Sequence, residues 1–154
     1  MTNLSLARAY LAKIQAQLEV LPLLLERGAY SNVVRGAQEV VELALKGMLR
    51  QVGIDPPKWH DVGPVLLEHR GRFPEIVAPH LDRLAEISKD LRKDRELALY
   101  GDLDLIPTEH YTRAHAETAL DGARLAARAA GDLIGPTRVP DVGSRPDPKP
   151  STET

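Results

Sequence analysis

Residues 92–102, RKDRELALYGD, hold the side chains best suited to chemistry. Arg95 stands five residues before Tyr100 and seven before Asp102. A guanidinium binds phosphate oxygens, a phenol donates a hydrogen bond or stacks on a base, and a carboxylate orients either. If a helix starts near Leu81, Arg95 falls about 20–40° from Leu84 and Leu91 on the helical wheel, on the apolar stripe. A permanent charge there needs a carboxylate, a carbonyl or a polar ligand. Two readings stay open. Arg95 contacts a ligand, or it is a structural residue in an ion pair with Glu42 or Asp102.

Other chemistry is excluded by what the chain lacks. There is no cysteine, hence no disulfide frame and no thiolate ligand or nucleophile. The five histidines are His60, His69, His80, His110 and His115, and no two stand four residues apart as a helical metal pair would. Glycine-rich nucleotide fingerprints, phosphate loops and Gly-x-Ser-x-Gly elbows are missing. No metal and no cofactor is expected. His60 opens a short helix in WHD; its plain reading is a backbone hydrogen bond at the helix start, beside a Trp59 that packs the connector. Net charge of −2 argues against a broad basic surface for long nucleic acid, while a local cluster stays open.

The elements that must position these residues are helices. Of 154 residues, 43% are apolar but only 4% aromatic, so Leu, Ala and Val must form the core. One domain of that length has room for it. Leu4, Leu11, Ile14, Leu18, Leu21 and Leu25 mark a first helix over 3–27, capped by Asn3 or Ser5. Pro22 predicts a kink or an end near Val20, and Gly28 stops whatever continues. A second helix over 30–52, capped by Ser31 or Asn32, carries Val33, Val34, Ala37, Val40, Val41, Ala44, Leu45, Met48, Leu49 and Val52. A face that wide predicts a central position. Its polar stripe, Arg35, Gln38, Glu39, Glu42 and Lys46, reads as solvated, with Glu42 and Lys46 at ion-pair spacing.

Gly53 ends that helix, and IDPPKWHDVGP is a connector. Asp61 is placed to cap a short helix over 62–69. Two prolines break 73–79 before a long helix over 81–101. Pro107 and Thr108 open a last helix with a seam of Ala116, Ala119, Leu120, Ala123, Ala126, Ala127, Ala130 and Leu133. Small residues there let backbones approach closely. The expected fold is all-α, an up-down four-helix bundle with one extra short helix, over 1–134. Residues 135–154 are proline-rich and read as a disordered tail. No apolar run approaches 18 residues, and MTNLSLARAY has neither the basic head nor the apolar block of a signal peptide. A cytoplasmic protein without a membrane span is expected.

Taken together, RGAQEVVELALKGMLRQVGIDPPKWHDVGPVLLEH (35–69), RELALYGD (95–102) and IPTEHYT (106–112), followed by an Ala-rich helix, resemble a prokaryotic branch of the HEPN domain family. That name stands for higher eukaryotes and prokaryotes nucleotide-binding. The resemblance spans about residues 5–134. It implies a helical bundle, usually a homodimer, that binds nucleotides or RNA. Many members are RNA-cleaving toxins; others act beside a minimal nucleotidyltransferase encoded next door, as a toxin–antitoxin pair. The cleaving branch carries an Arg, then four to six intervening residues, then a His. Arg95 matches the arginine, but the three positions that follow at that spacing hold Tyr100, Gly101 and Asp102. The resemblance therefore implies a nucleotide-, RNA- or partner-binding module without the usual ribonuclease pair. Arg92, Arg95, Tyr100 and His60 are the nucleotide- or RNA-contacting candidates, and Arg95, Tyr100 and Asp102 are the weaker catalytic set.

Overall fold

A computed structural model describes residues 2–59, 61–100 and 111–135, with the backbone alone at 94–100. Among the described residues five helices follow in order: α1 (Asn3–Glu26), α2 (Tyr30–Gln51), α3 (Gly63–Glu68), α4 (Leu81–Tyr100) and α5 (Arg113–Ile134). Two single 3₁₀ turns, Arg70–Arg72 and Ala78–His80, connect α3 to α4. No strand occurs among the described residues. The all-α bundle with a short extra helix is therefore the architecture observed. Among the described residues no helix is long and apolar enough to cross a membrane.

Helix α2 is the hub. It packs against α1, α3, α4 and α5, as its wide apolar face requires. Nine of the ten apolar positions expected to face inward are buried, and Val52, just past the last turn, is half-buried. Its polar stripe is less solvated than its residue types suggest. Gln38 is buried, and Glu42 and Lys46 keep only 14% and 16% of their side-chain surface exposed. Gln38 Nε2 and Lys46 Nζ both donate to the Glu42 carboxylate, at 3.2 and 2.9 Å. The ion pair forms as its spacing predicts, but as part of a covered network.

The turns around α2 are closed by glycines in the left-handed region. Gly28 (φ 74°) and Gly53 (φ 81°) end α1 and α2. Ala29 N–H then donates to the Leu24 carbonyl, and Ile54 N–H to the Leu49 carbonyl, each at 2.9 Å. This is the Schellman arrangement, which answers the orphan carbonyls of a last turn.

Three start and stop signals differ from expectation. Thr2, rather than Asn3 or Ser5, caps α1, and Ser5 supplies the reciprocal half of a capping box. Asn3 instead accepts from Arg50 Nη1 at 2.8 Å, which ties the start of α1 to the end of α2. Neither Ser31 nor Asn32 caps α2, whose N-cap is Ala29 without a side-chain bond. Pro22 does not end α1, which runs on to Glu26. Buried Leu21 explains the continuation: it packs where Gly36 of α2 presents no side chain, and that contact outweighs one lost backbone bond. Leu4 lies 50% exposed on the first turn, outside the core expected for it.

Helix α5 starts at Arg113, capped by Thr112 in a box with His115. Its buried seam is Ala116, Ala119, Leu120, Ala123, Ala126, Ala129, Ala130 and Ile134, so Ala129 and Ile134 take the inward places expected of Ala127 and Leu133. Pro107, Thr108 and the 136–154 tail lie outside the described residues.

Candidate functional site

Helix α3 is too short to hold itself and depends on its contact with α4. Gly63 makes that contact close: a Cβ there would sit 3.2 Å from the Cα, Cβ and carbonyl oxygen of Ala85. Beside this touching point lies a groove of about 720 Å³ lined by residues of both helices. Pro64 and Leu67 of α3 form its apolar wall.

The opposite side is a stripe of α4. Its buried face is Leu81, Leu84, Ile87, Ser88 and Leu91, and the next stripe round, Asp82, Ala85, Glu86, Lys89, Arg92 and Lys93, lines the groove. These positions recur at three and four residues, so a single helix presents all of them to one cleft. The carboxylates stand in the first half and the cations in the second.

Asp61, from the connector, closes the cationic end. Arg92 Nη1 donates to Asp61 Oδ2 at 3.0 Å. This corrects the expectation that Asp61 caps α3, whose N-cap is Val62 without a side-chain bond. A charge-assisted bond to a guanidinium is stronger than a cap on a six-residue helix. Trp59 is likewise not packed into the connector: it is 63% exposed.

Charge within the groove is set by what lies just outside it. Three carboxylates and three cations line it. Arg70 and Arg83, which are not part of the lining, cover two of the carboxylates. Arg70 donates to Asp82 from both terminal guanidinium nitrogens, Nη2 at 2.6 Å and Nη1 at 3.2 Å, and Arg83 donates to Glu86 at 3.2 Å. With Asp61 answered by Arg92, Lys89 and Lys93 are left with no ion-pair partner among the described residues. Two ammonium groups four residues apart repel one another, and an anion between them removes that cost.

Of the contacting residues read from the sequence, Arg92 is in the groove. The backbone of α4 carries position 95 one turn beyond it. The side chains of Arg95 and Tyr100, and all of His60, Gly101 and Asp102, lie outside the described residues. His115 is engaged in the α5 cap and against the Tyr111 ring, edge-on at 6.4 Å. Lys89 and Lys93 were legible as a Lys-x-x-Arg-Lys run, but their spacing reads as an ordinary solvated face until α3 supplies the opposite wall.

The sequence model of the HEPN domain matches residues 7–130, from the first helix through most of the last. The chain belongs to the HEPN domain family. Membership implies a module concerned with nucleotides or RNA, and HEPN domains commonly dimerise. No curated protein and no solved structure matches this HEPN chain.

Proposed function

We propose that this HEPN chain binds a nucleotide or a segment of RNA, with the ligand's phosphates in the α3–α4 groove. The observation that carries this reading is the triad Lys89, Arg92 and Lys93 on one stripe of α4, with the apolar wall of Pro64 and Leu67 across the groove. Cations alone would bind weakly. An exposed charge pair contributes about 0–1 kcal/mol, so three together fall short of the roughly 4 kcal/mol that even a millimolar ligand needs. The apolar wall supplies the rest by covering a base or ribose, so a nucleotide is favoured over a bare phosphate.

The reading extends along α4 to Arg95 and Tyr100 as further contacts, with His60 beside Asp61 in the chain. Without a histidine at the spacing of the cleaving branch, binding rather than metal-free RNA cleavage is proposed. A homodimer working in the cytoplasm beside a nucleotidyltransferase antitoxin is the setting the family suggests. Calorimetric titration of the full chain with ATP and with a short single-stranded RNA tests the proposal. Saturable heat that the double variant Lys89→Ala/Lys93→Ala removes is the expected result. No heat from either ligand, or heat untouched by the double variant, would overturn it. Arg95→Ala reads separately whether the site continues along α4.

A further inference from the structure

We infer that Asp61 is an internal occupant of the phosphate seat. Its carboxylate holds Arg92 where a ligand's phosphate would, so binding exchanges one anion for another. This rests on the reading of the α3–α4 groove as a phosphate site. The connector brings Asp61 to the cationic end of the groove, and among the described residues its bond is to Arg92 Nη1, at 3.0 Å. Arg92 stands three residues from Lys89 and adjoins Lys93 on the same stripe. A phosphate drawn to the two lysines meets the guanidinium they flank, and meets the Asp61 carboxylate as a like charge.

The bond is built to be exchanged. Asp61 and Arg92 keep 30% and 43% of their side-chain surface exposed. Water can reach both groups, so parting them does not strand a buried charge. Nor does α3 depend on the carboxylate, since its N-terminus takes no side-chain cap. The two other groove carboxylates differ. Asp82 and Glu86 are held by Arg70 and Arg83, which do not line the groove. Only Asp61, among the three, spends a groove cation.

The exchange has an optical reporter. Trp59 is the single tryptophan of the chain, stands two residues before Asp61 and is 63% exposed. Release of Asp61 frees the segment that carries it, so ligand binding changes its emission.

The test titrates the full chain with ATP, and with inorganic pyrophosphate as the wall-independent probe, following heat and Trp59 fluorescence. Asp61→Asn is expected to tighten both by about tenfold, and Asp82→Asn by less than about threefold. In an Arg92→Gln background the gain from Asp61→Asn should shrink below about threefold, because the seat is no longer contested. An equal gain in both backgrounds would mean that Asp61 acts through its field alone, and would overturn the inference. So would no gain from Asp61→Asn while Lys89→Ala/Lys93→Ala still abolishes binding; in that case the groove reading survives. Absence of ATP binding in every variant overturns both. Asp61→Ser serves as the second variant if the asparagine form does not fold.

Discussion

Of the helix contacts that small residues make in this bundle, those at Gly36 and Gly63 do opposite things. Where α2 meets α1, Gly36 lets Leu21 fill the space over it, and the contact is dry and closed. Where α3 meets α4, Gly63 lets Ala85 touch backbone, and a charged groove lies beside the contact. A missing side chain closes the first contact along its length. In the second it closes only a short stretch, because α3 has only six residues and carries just two buried ones, Gly63 and Leu66. Close approach therefore makes a core only when both partners are long enough to continue it.

If that contrast is right, substitutions in the hub should cost stability and spare ligand, while those in the groove do the reverse. The largest effect is expected of Leu45→Ala. Leu45 is fully buried on α2, and its loss should lower the unfolding free energy in urea by about 2–5 kcal/mol. Gly36→Ala sets two terms against each other. Alanine favours a helix by about 1 kcal/mol, whereas forcing a Cβ against Leu21 and Gln17 costs about 1–3 kcal/mol. A net loss in the urea midpoint is expected, and a net gain would show the seam to be looser than described.

Thr112→Ala removes the cap of α5, including the bond from His115 N–H at 3.2 Å, and should cost about 1 kcal/mol of thermal stability. The smallest stability change belongs to Lys89→Ala/Lys93→Ala, within about 0.5 kcal/mol of the parent, although this variant is the one expected to lose ATP. A large drop in its melting temperature would break the contrast from the groove side.

The helices were legible in the chain because burial imposes its period on residue type. Val33 through Leu49 could hardly read otherwise, and nine of those inward places were correctly read. What sequence could not reveal was which of two jobs a polar residue takes. Asp61 reads as a cap because caps are local, but its partner Arg92 lies 31 residues away. Asn3 reads as a cap for the same reason, and bonds Arg50 from 47 residues off. Glu42 and Lys46 have the spacing of a solvated pair, and only the packing of neighbours over α2 shows them to be covered. The groove was half-legible. Arg92 was among the contact candidates that the family resemblance implies, whereas Lys89 and Lys93 acquire meaning only from Pro64 and Leu67, some 25 residues earlier.

The glycine-closed turn at Gly28 has a kinetic consequence. It joins α1 to α2 across only three residues, 27–29, so the extensive contact between these helices can form with little loop-closure entropy. The α1–α2 hairpin is then the natural early structure on the folding route, and α5, which returns from far along the chain to complete the hub, closes it later. Native-state hydrogen exchange should rank the molecule accordingly. Amides of α2 would be protected to the level of global unfolding, while those of α3 would open first and most often, so the groove could lose one wall while the rest of the bundle stays intact.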